Sequence, residues 1–417
     1  MRRLSFAALL AFAFSIPLED SVQFGIGRVS KVFGVLALVA WVLAILVSGR
    51  LRRLPAGVAM AAAFVGWALL SYFWSSQPTA SVAKAATLLQ MLAVVLLVWD
   101  QTQTQDRLIV LMRWFILGSF TAAAVTFLAA GTGHATEGTR FASTNSGPNN
   151  TGALLAVAVA MACYLLRADR DRLWRLFYAA FLPVAMVGTL LTASRTAALS
   201  LAVGLLIIIF DFRWLTPRRV MALGAVGLVA ALLVVVYLPS RSADRLGTTS
   251  NEISTGTLNG RTLYWKLSFK FFSQHPVEGI GAGAFADENI LLGGAGKVAH
   301  NAFMSILAEL GAVGVSLFLG TIAVAVWGLR AERRDLRRTW MAMGVTWFIG
   351  ANALTWEVRK LTWFLFALAL VQAKIIATAG REPPAALPGQ VDDPAAAAGD
   401  PLERDPGARD GQLVEPR

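Results

Sequence analysis

Arg195, Arg261 and His300 are the residues of this chain best suited to chemistry. A guanidinium stays protonated and presents a planar fork of donors that matches phosphate oxygens. A neutral imidazole can accept a proton near pH 7. Together they fit a reaction in which a hydroxyl loses its proton while negative charge grows on a phosphate. Each also has a plainer reading. Arg195, in Thr192-Ala193-Ser194-Arg195-Thr196, lies between two apolar runs and could be an interfacial anchor whose side chain snorkels. Arg261 could bind lipid headgroups, and His300 could be a capping or interfacial histidine.

Arg261 opens a stretch, 262–274, whose pattern predicts a short amphipathic helix. Leu263, Leu267 and Phe271 recur at i, i+4 and i+8, and Lys266 and Lys270 share another face with Ser273. His275-Pro276 ends it. A cation at the start of a helix opposes the helix dipole, so an anion held between Arg261 and the free N–H groups would relieve the conflict. Gly279-Ile280-Gly281-Ala282-Gly283 has no strand–helix frame around it and is not a dinucleotide fingerprint; it reads as a flexible turn beside a site. His300 and Asn301 begin a span, followed by Gly311 and Gly314, three apart on one helical face, which permits close helix packing. Glu309 in that span must be paired, with Arg113, Lys84 and Lys360 as candidates. Lys266, Lys270 and Lys297 are further candidates for phosphate contact. Asp287-Glu288 reads as a solvated pair. No His/Cys/Asp/Glu set has metal-ligand spacing, so no metal and no cofactor are expected.

The elements that carry these residues must be membrane helices. The chain is 56% hydrophobic and only 15% charged, with mean hydropathy +0.61, against about 25% charge in soluble domains. Apolar runs near 4–18, 31–48, 55–74, 81–99, 108–130, 149–166, 174–192, 196–215, 220–238, 301–328, 339–356 and 361–378 predict about twelve spans. Backbone groups in lipid must be satisfied internally, which selects helices, and the alternation of a membrane barrel is absent. The fold class is all-α and polytopic, with one large loop, 239–300. Arginine-rich loops 50–53, 167–175, 213–219 and 330–338 alternate with arginine-poor ones, which puts both termini inside and loops 19–30, 75–80, 131–148, 193–195, 239–300 and 357–360 outside. Arg359 and Lys360 break that pattern and add two cations to the outer face. The net charge of +12 sits largely in orienting loops and requires no nucleic acid. The first apolar run is read as an uncleaved span. The single cysteine, Cys163, excludes an internal disulfide. A domain of 378 residues is therefore followed by a tail, 379–417, rich in Pro, Ala, Gly and Asp and expected to be disordered and cytoplasmic.

Ser194-Arg195-Thr196, Gly260-Arg261-Thr262 with Trp265, Gly279 to Phe285, and His300-Asn301 followed by Gly311 and Gly314 resemble the O-antigen ligase/polymerase family of bacterial envelope glycosyltransferases. The resemblance covers about 5–378. It implies a GT-C-type fold in the bacterial inner membrane, acting at the periplasmic face. The implied donor is a glycan on undecaprenyl pyrophosphate. The implied acceptor is lipid A–core for a ligase, or a second lipid-linked glycan for a polymerase. The resemblance also implies inversion at the anomeric carbon without metal. Arg195 and Arg261 would then stabilise the leaving pyrophosphate, His300 would act on the acceptor hydroxyl, and Asn301, Lys266, Lys270 and Lys297 would bind substrate. A ligase is favoured, with an O-antigen or exopolysaccharide polymerase as the alternative. A lipid-linked glycan transporter is the reading from another class; it predicts charges at the bilayer midplane rather than at one interface.

Overall fold

The computed structural model describes residues 1–20, 23–24, 27–136, 140–143, 146–209, 221 and 261–379. Met1–Thr378 is one compact unit. Of the expected tail, only Ala379 is among the described residues.

The helices in chain order are α1 (Arg2–Ser15), α2 (Val29–Ser48), α3 (Ala56–Leu70), α4 (Pro78–Gln101), α5 (Gln105–Gly131), α6 (Pro148–Ala168), α7 (Arg172–Leu191), α8 (Arg195–Ile209), α9 (Arg261–Gln274), α10 (Phe285–Leu291), α11 (Ala302–Gly328), α12 (Arg334–Ala351) and α13 (Lys360–Ala379). A two-residue antiparallel ladder, Gln23–Phe24 with Gly27–Arg28, precedes α2. The protein is an all-α polytopic membrane protein. Among the described residues, eight of the expected twelve spans are helices long and apolar enough to cross a bilayer. Two others form helices that fall short for physical reasons. At 1.5 Å per residue, α1 is only about 21 Å long, and α12 opens with Arg334, Asp335, Arg337 and Arg338. The span expected at 196–215 is described as far as Ile209, and 220–238 lies outside the described residues.

Local sequence explains where the helices begin. Pro78 and Pro148 occupy first turns, where a missing N–H costs nothing. Thr104, Asp171 and Asn301 cap α5, α7 and α11 with side-chain oxygens. The Ala-rich α6 is buried almost throughout and packs against α5, α7, α8 and α12. α2 instead exposes Val35, Leu36, Val39, Leu43 and Leu46, the surface expected of a lipid-facing helix.

One end of the bundle gathers the arginine-rich loops. There Asp100 accepts from Trp41 Nε1 at 2.9 Å, the Arg52 backbone N–H at 2.9 Å and Arg2 at 3.1 Å. Arg113 forms a two-pronged pair with Asp169, at 2.8 and 2.9 Å, so it is not the partner of Glu309. Tyr178 donates to the same carboxylate at 2.6 Å. At the opposite end, Arg359 pairs with Asp20 at 2.8 Å and Lys360 with Glu19. These two cations are neutralised where they stand. They add no free positive charge to that face, contrary to the reading of their sequence position.

Candidate functional site

Two turns at this second end hold the backbone beside or at the candidate residues in unusual conformations. Ala193 (φ 46°) and His300 (φ 50°) are the two non-glycine residues with positive φ among the described residues. Such a conformation costs an L-residue roughly 1–3 kcal/mol and persists only where surrounding contacts enforce it.

The Ala193 turn delivers Arg195 as the first residue of α8, partly buried, with the Ser194 hydroxyl accepting the Ala197 N–H at 3.4 Å. Arg140 fastens this turn. Its guanidinium donates to the Thr192 carbonyl at 3.0 Å and to Asn149 Oδ1 at 2.6 Å, and the residue is 5% exposed. The sequence reading passed over Arg140 because its loop carries no periodic pattern. The only available signal was an arginine in an otherwise arginine-poor outward loop.

His300 lies just before α11, at the mouth of the span. Asn301 caps the helix: its Oδ1 accepts the N–H groups of Phe303 (2.9 Å) and Met304 (3.1 Å), and its amide nitrogen donates to Asn352 at 3.2 Å. With these bonds made and 3% exposure, Asn301 orients its neighbour rather than reaching into solvent. The His300 ring meets Tyr264 of α9 edge-on, with centroids 6.4 Å apart. Burial, and then the nearby cations Arg261 and Lys297, hold the imidazole below its ordinary range, which keeps it neutral at pH 7. Arg261, Lys297 and His300 are therefore brought together from α9 and the loop before α11.

α9 buries two of the three apolar residues expected on its inward face, Leu267 and Phe271, but not Leu263. Leu263 is 65% exposed and Phe269 54%, whereas Tyr264, Leu267, Ser268 and Phe271 turn inward. The helix docks through a tyrosine–serine–phenylalanine face onto α10 and α11, which the hydrophobicity of Leu263 concealed. Lys266 and Lys270 are exposed, and Lys266 is two residues from Tyr264, about 200° round the helix.

The segment after α9 is not a flexible turn. α11 breaks at Gly311 (φ 63°, ψ −162°), a region open essentially to glycine alone. The groups freed by the break pair with 276–281. Ile280 and Gly281 donate to the carbonyls of Ala308 (3.0 Å) and Glu309 (2.9 Å), and Ala312 donates to that of Pro276 (2.9 Å). Trp67 Nε1 takes the Leu310 carbonyl at 3.0 Å. A Cβ on Gly281 would lie 2.7 Å from Ser75 Cα. Gly311 and Gly314 thus serve a broken helix and its inserted loop, not a smooth helix–helix face.

Glu309 finds its partner in Lys84, at 2.6 Å. Hydrogen bonds link this end of the bundle laterally. Arg140 holds Asn149; the adjacent Asn150 accepts from Trp356 at 3.1 Å; Glu357 accepts from Ser305 at 2.8 Å; and Asn301 meets Asn352. The turns bearing Arg195 and His300 are therefore tied to one end through 352–357. An open cleft there is lined by Glu19, Asp20, Asn150, Thr151, Trp356 and Arg359, among others. No group of three or more metal-binding side chains occurs among the described residues.

Residues 179–319 match the family model described as O-antigen ligase, a stretch that contains Arg195, Arg261 and His300. No curated protein matches the chain.

Proposed function

We propose that this chain, whose residues 179–319 match the O-antigen ligase family model, is a membrane ligase that transfers a glycan from undecaprenyl pyrophosphate to a hydroxyl of lipid A–core at the periplasmic face of the inner membrane. The observation that carries this reading is a half-buried His300, set edge-on against Tyr264 within the electrostatic reach of Arg261, at the end of the bundle away from the arginine-rich loops. By the bias of arginine toward the cytoplasm, that end faces outward and both termini face inward.

In this mechanism the acceptor oxygen attacks the anomeric carbon from the side opposite the pyrophosphate. The new glycosidic C–O bond forms as the bond to the phosphate oxygen breaks, inverting the centre. His300 takes the hydroxyl proton, and undecaprenyl pyrophosphate leaves with the bonding pair. Arg261 and Arg195 meet the charge that grows on the leaving phosphate. Interactions that strengthen only in the transition state accelerate the step. Lys297 adds positive potential beside His300. Lys266 and Lys270, on the exposed side of α9, are placed to attract an anionic substrate rather than to touch the reacting atoms.

The test is the fate of surface glycan when the gene is deleted and then restored, with His300→Ala as the control. A ligase leaves full-length polymer on undecaprenyl pyrophosphate and bare lipid A–core. Accumulation of single repeat units, lipid-linked or attached to core, would replace ligation with polymerisation as the function. Because arginines supply the charge a divalent cation would otherwise bring, transfer by the purified protein is expected to persist in EDTA. Loss of activity that added divalent metal restores would refute the metal-independent mechanism.

A further inference from the structure

Lys84 joins three parts of the chain that are remote in sequence. Its Nζ lies 2.6 Å from Glu309 Oε2, 2.9 Å from Glu357 Oε1 and 3.2 Å from Ser305 Oγ. Glu309 Oε2 also accepts the Gly283 N–H at 2.8 Å, and Ser305 donates to Glu357 Oε1 at 2.8 Å. The two acids are 4% and 1% exposed, and the second oxygen of Glu357 is buried without a hydrogen bond.

A buried charge cluster is a poor way to gain stability, since apolar side chains of similar volume often hold helices as well or better. What it provides is register. An ammonium has three donors, and here they reach three fixed acceptors. Each acceptor sits on an element that bears on His300. Ser305 and Glu309 lie on the short half of α11, which starts beside His300 and ends at the Gly311 break. Gly283, held by Glu309, belongs to the segment leading from α9, the helix that carries Arg261 and Tyr264. Glu357 belongs to the 352–358 turn, whose Asn352 holds Asn301.

We propose that Lys84 is a positioning residue for glycan transfer: by clamping Glu309, Glu357 and Ser305 it sets the His300 end of α11 and the α9–α10 connection in the arrangement that reaction needs. The cluster makes no contact with substrate in this role; it acts through the geometry of His300 and Arg261. The inference rests on the assignment of His300 as the base.

The experiment compares Lys84→Met, Lys84→Arg and His300→Ala, purified in detergent, in a transfer assay with lipid-linked donor and activity expressed per folded molecule. Lys84→Met is expected to lower kcat by about ten- to a hundredfold through misplacement of the reacting groups. KM for the donor should stay within about twofold, because ground-state binding is untouched. Lys84→Arg, which keeps the charge and can bridge both acids, should recover most of the loss. If Lys84→Met does not fold, Glu357→Gln gives the same readout, with a fall in kcat at unchanged KM. An unchanged kcat in the folded variant overturns the proposal. So does a raised KM at constant kcat, which would make Lys84 a donor-binding residue. Full activity in His300→Ala would refute the base assignment itself. An inactive His300→Ala beside a normal Lys84→Met would overturn the clamp alone.

Discussion

Replacing His300 with alanine is expected to lower kcat by about a hundredfold to ten thousandfold, the usual contribution of a positioned general base, with expression and membrane insertion intact. The ring is half-buried against Tyr264, and its backbone takes a strained positive φ immediately before the capped start of α11, so the fold fixes this one side chain closely. Arg261→Ala should cost about a hundred- to a thousandfold, as does removal of a donor to a developing anion. Arg261→Lys should restore little of this, because an ammonium lacks the planar fork. The pH profile checks the chemistry separately. Burial, Arg261 and Lys297 all disfavour the imidazolium, so the acid limb of kcat/KM should lie below the ordinary histidine range. Lys297→Ala removes one cation, makes protonation easier and should move that limb to higher pH. Activity near pH 6 then falls while activity at pH 8 is retained. The linkage sign for stability is the same: a histidine whose folded-state value is depressed lends stability at high pH that is lost as pH drops below about 6.5. An acid limb that ignores both His300 and Lys297 would assign the titration to another group.

Gly311→Ala is expected to be strongly destabilising for a single added methyl group. Its backbone angles lie in a region nearly closed to other residues, and a Cβ there would stand 2.8 Å from the Glu278 nitrogen. Backbone strain alone amounts to about 1–3 kcal/mol, and the clash with the inserted segment adds to it. Straightening α11 to relieve it would return the Ala308 and Glu309 carbonyls to their own helix and orphan the Ile280 and Gly281 N–H groups and the Pro276 carbonyl, which the broken helix now satisfies. Gly281→Ala should act in the same direction through its contact with Ser75. The control is Gly344→Ala on α12, where a Cβ meets open space and alanine should be neutral or stabilise by up to about 1 kcal/mol. Thermal unfolding in detergent, read alongside transfer activity, measures all three. Equal melting of Gly311→Ala and Gly344→Ala would show that the break at Gly311 is not a structural requirement.

Much of the protein was legible in the chain itself. Span positions follow from the thickness of hydrocarbon a helix must cross, which is a local count of apolar residues, and arginine placement in the loops follows from the same local chemistry. Helix starts at Asn301 and Asp171 follow from side chains that satisfy their own neighbouring N–H groups. Ser194-Arg195-Thr196, Gly260-Arg261-Thr262 and His300-Asn301 are likewise short strings, legible without the fold. Tertiary structure decided what depends on partners distant in sequence. Lys84 and Glu309 are 225 positions apart, and nothing in either segment encodes the choice of Lys84 over Arg113 or Lys360. Arg359 and Lys360 look like free outer cations until Glu19 and Asp20, more than 300 positions away, are placed beside them. Gly311 suits a packing face and a broken helix equally well by type, and only the backbone of 276–281 arriving at its freed carbonyls selects the break. Apolar pattern reports how much surface a helix will bury; which face is buried, as α9 shows with Leu263 outward and Ser268 inward, is set by the neighbour that covers it.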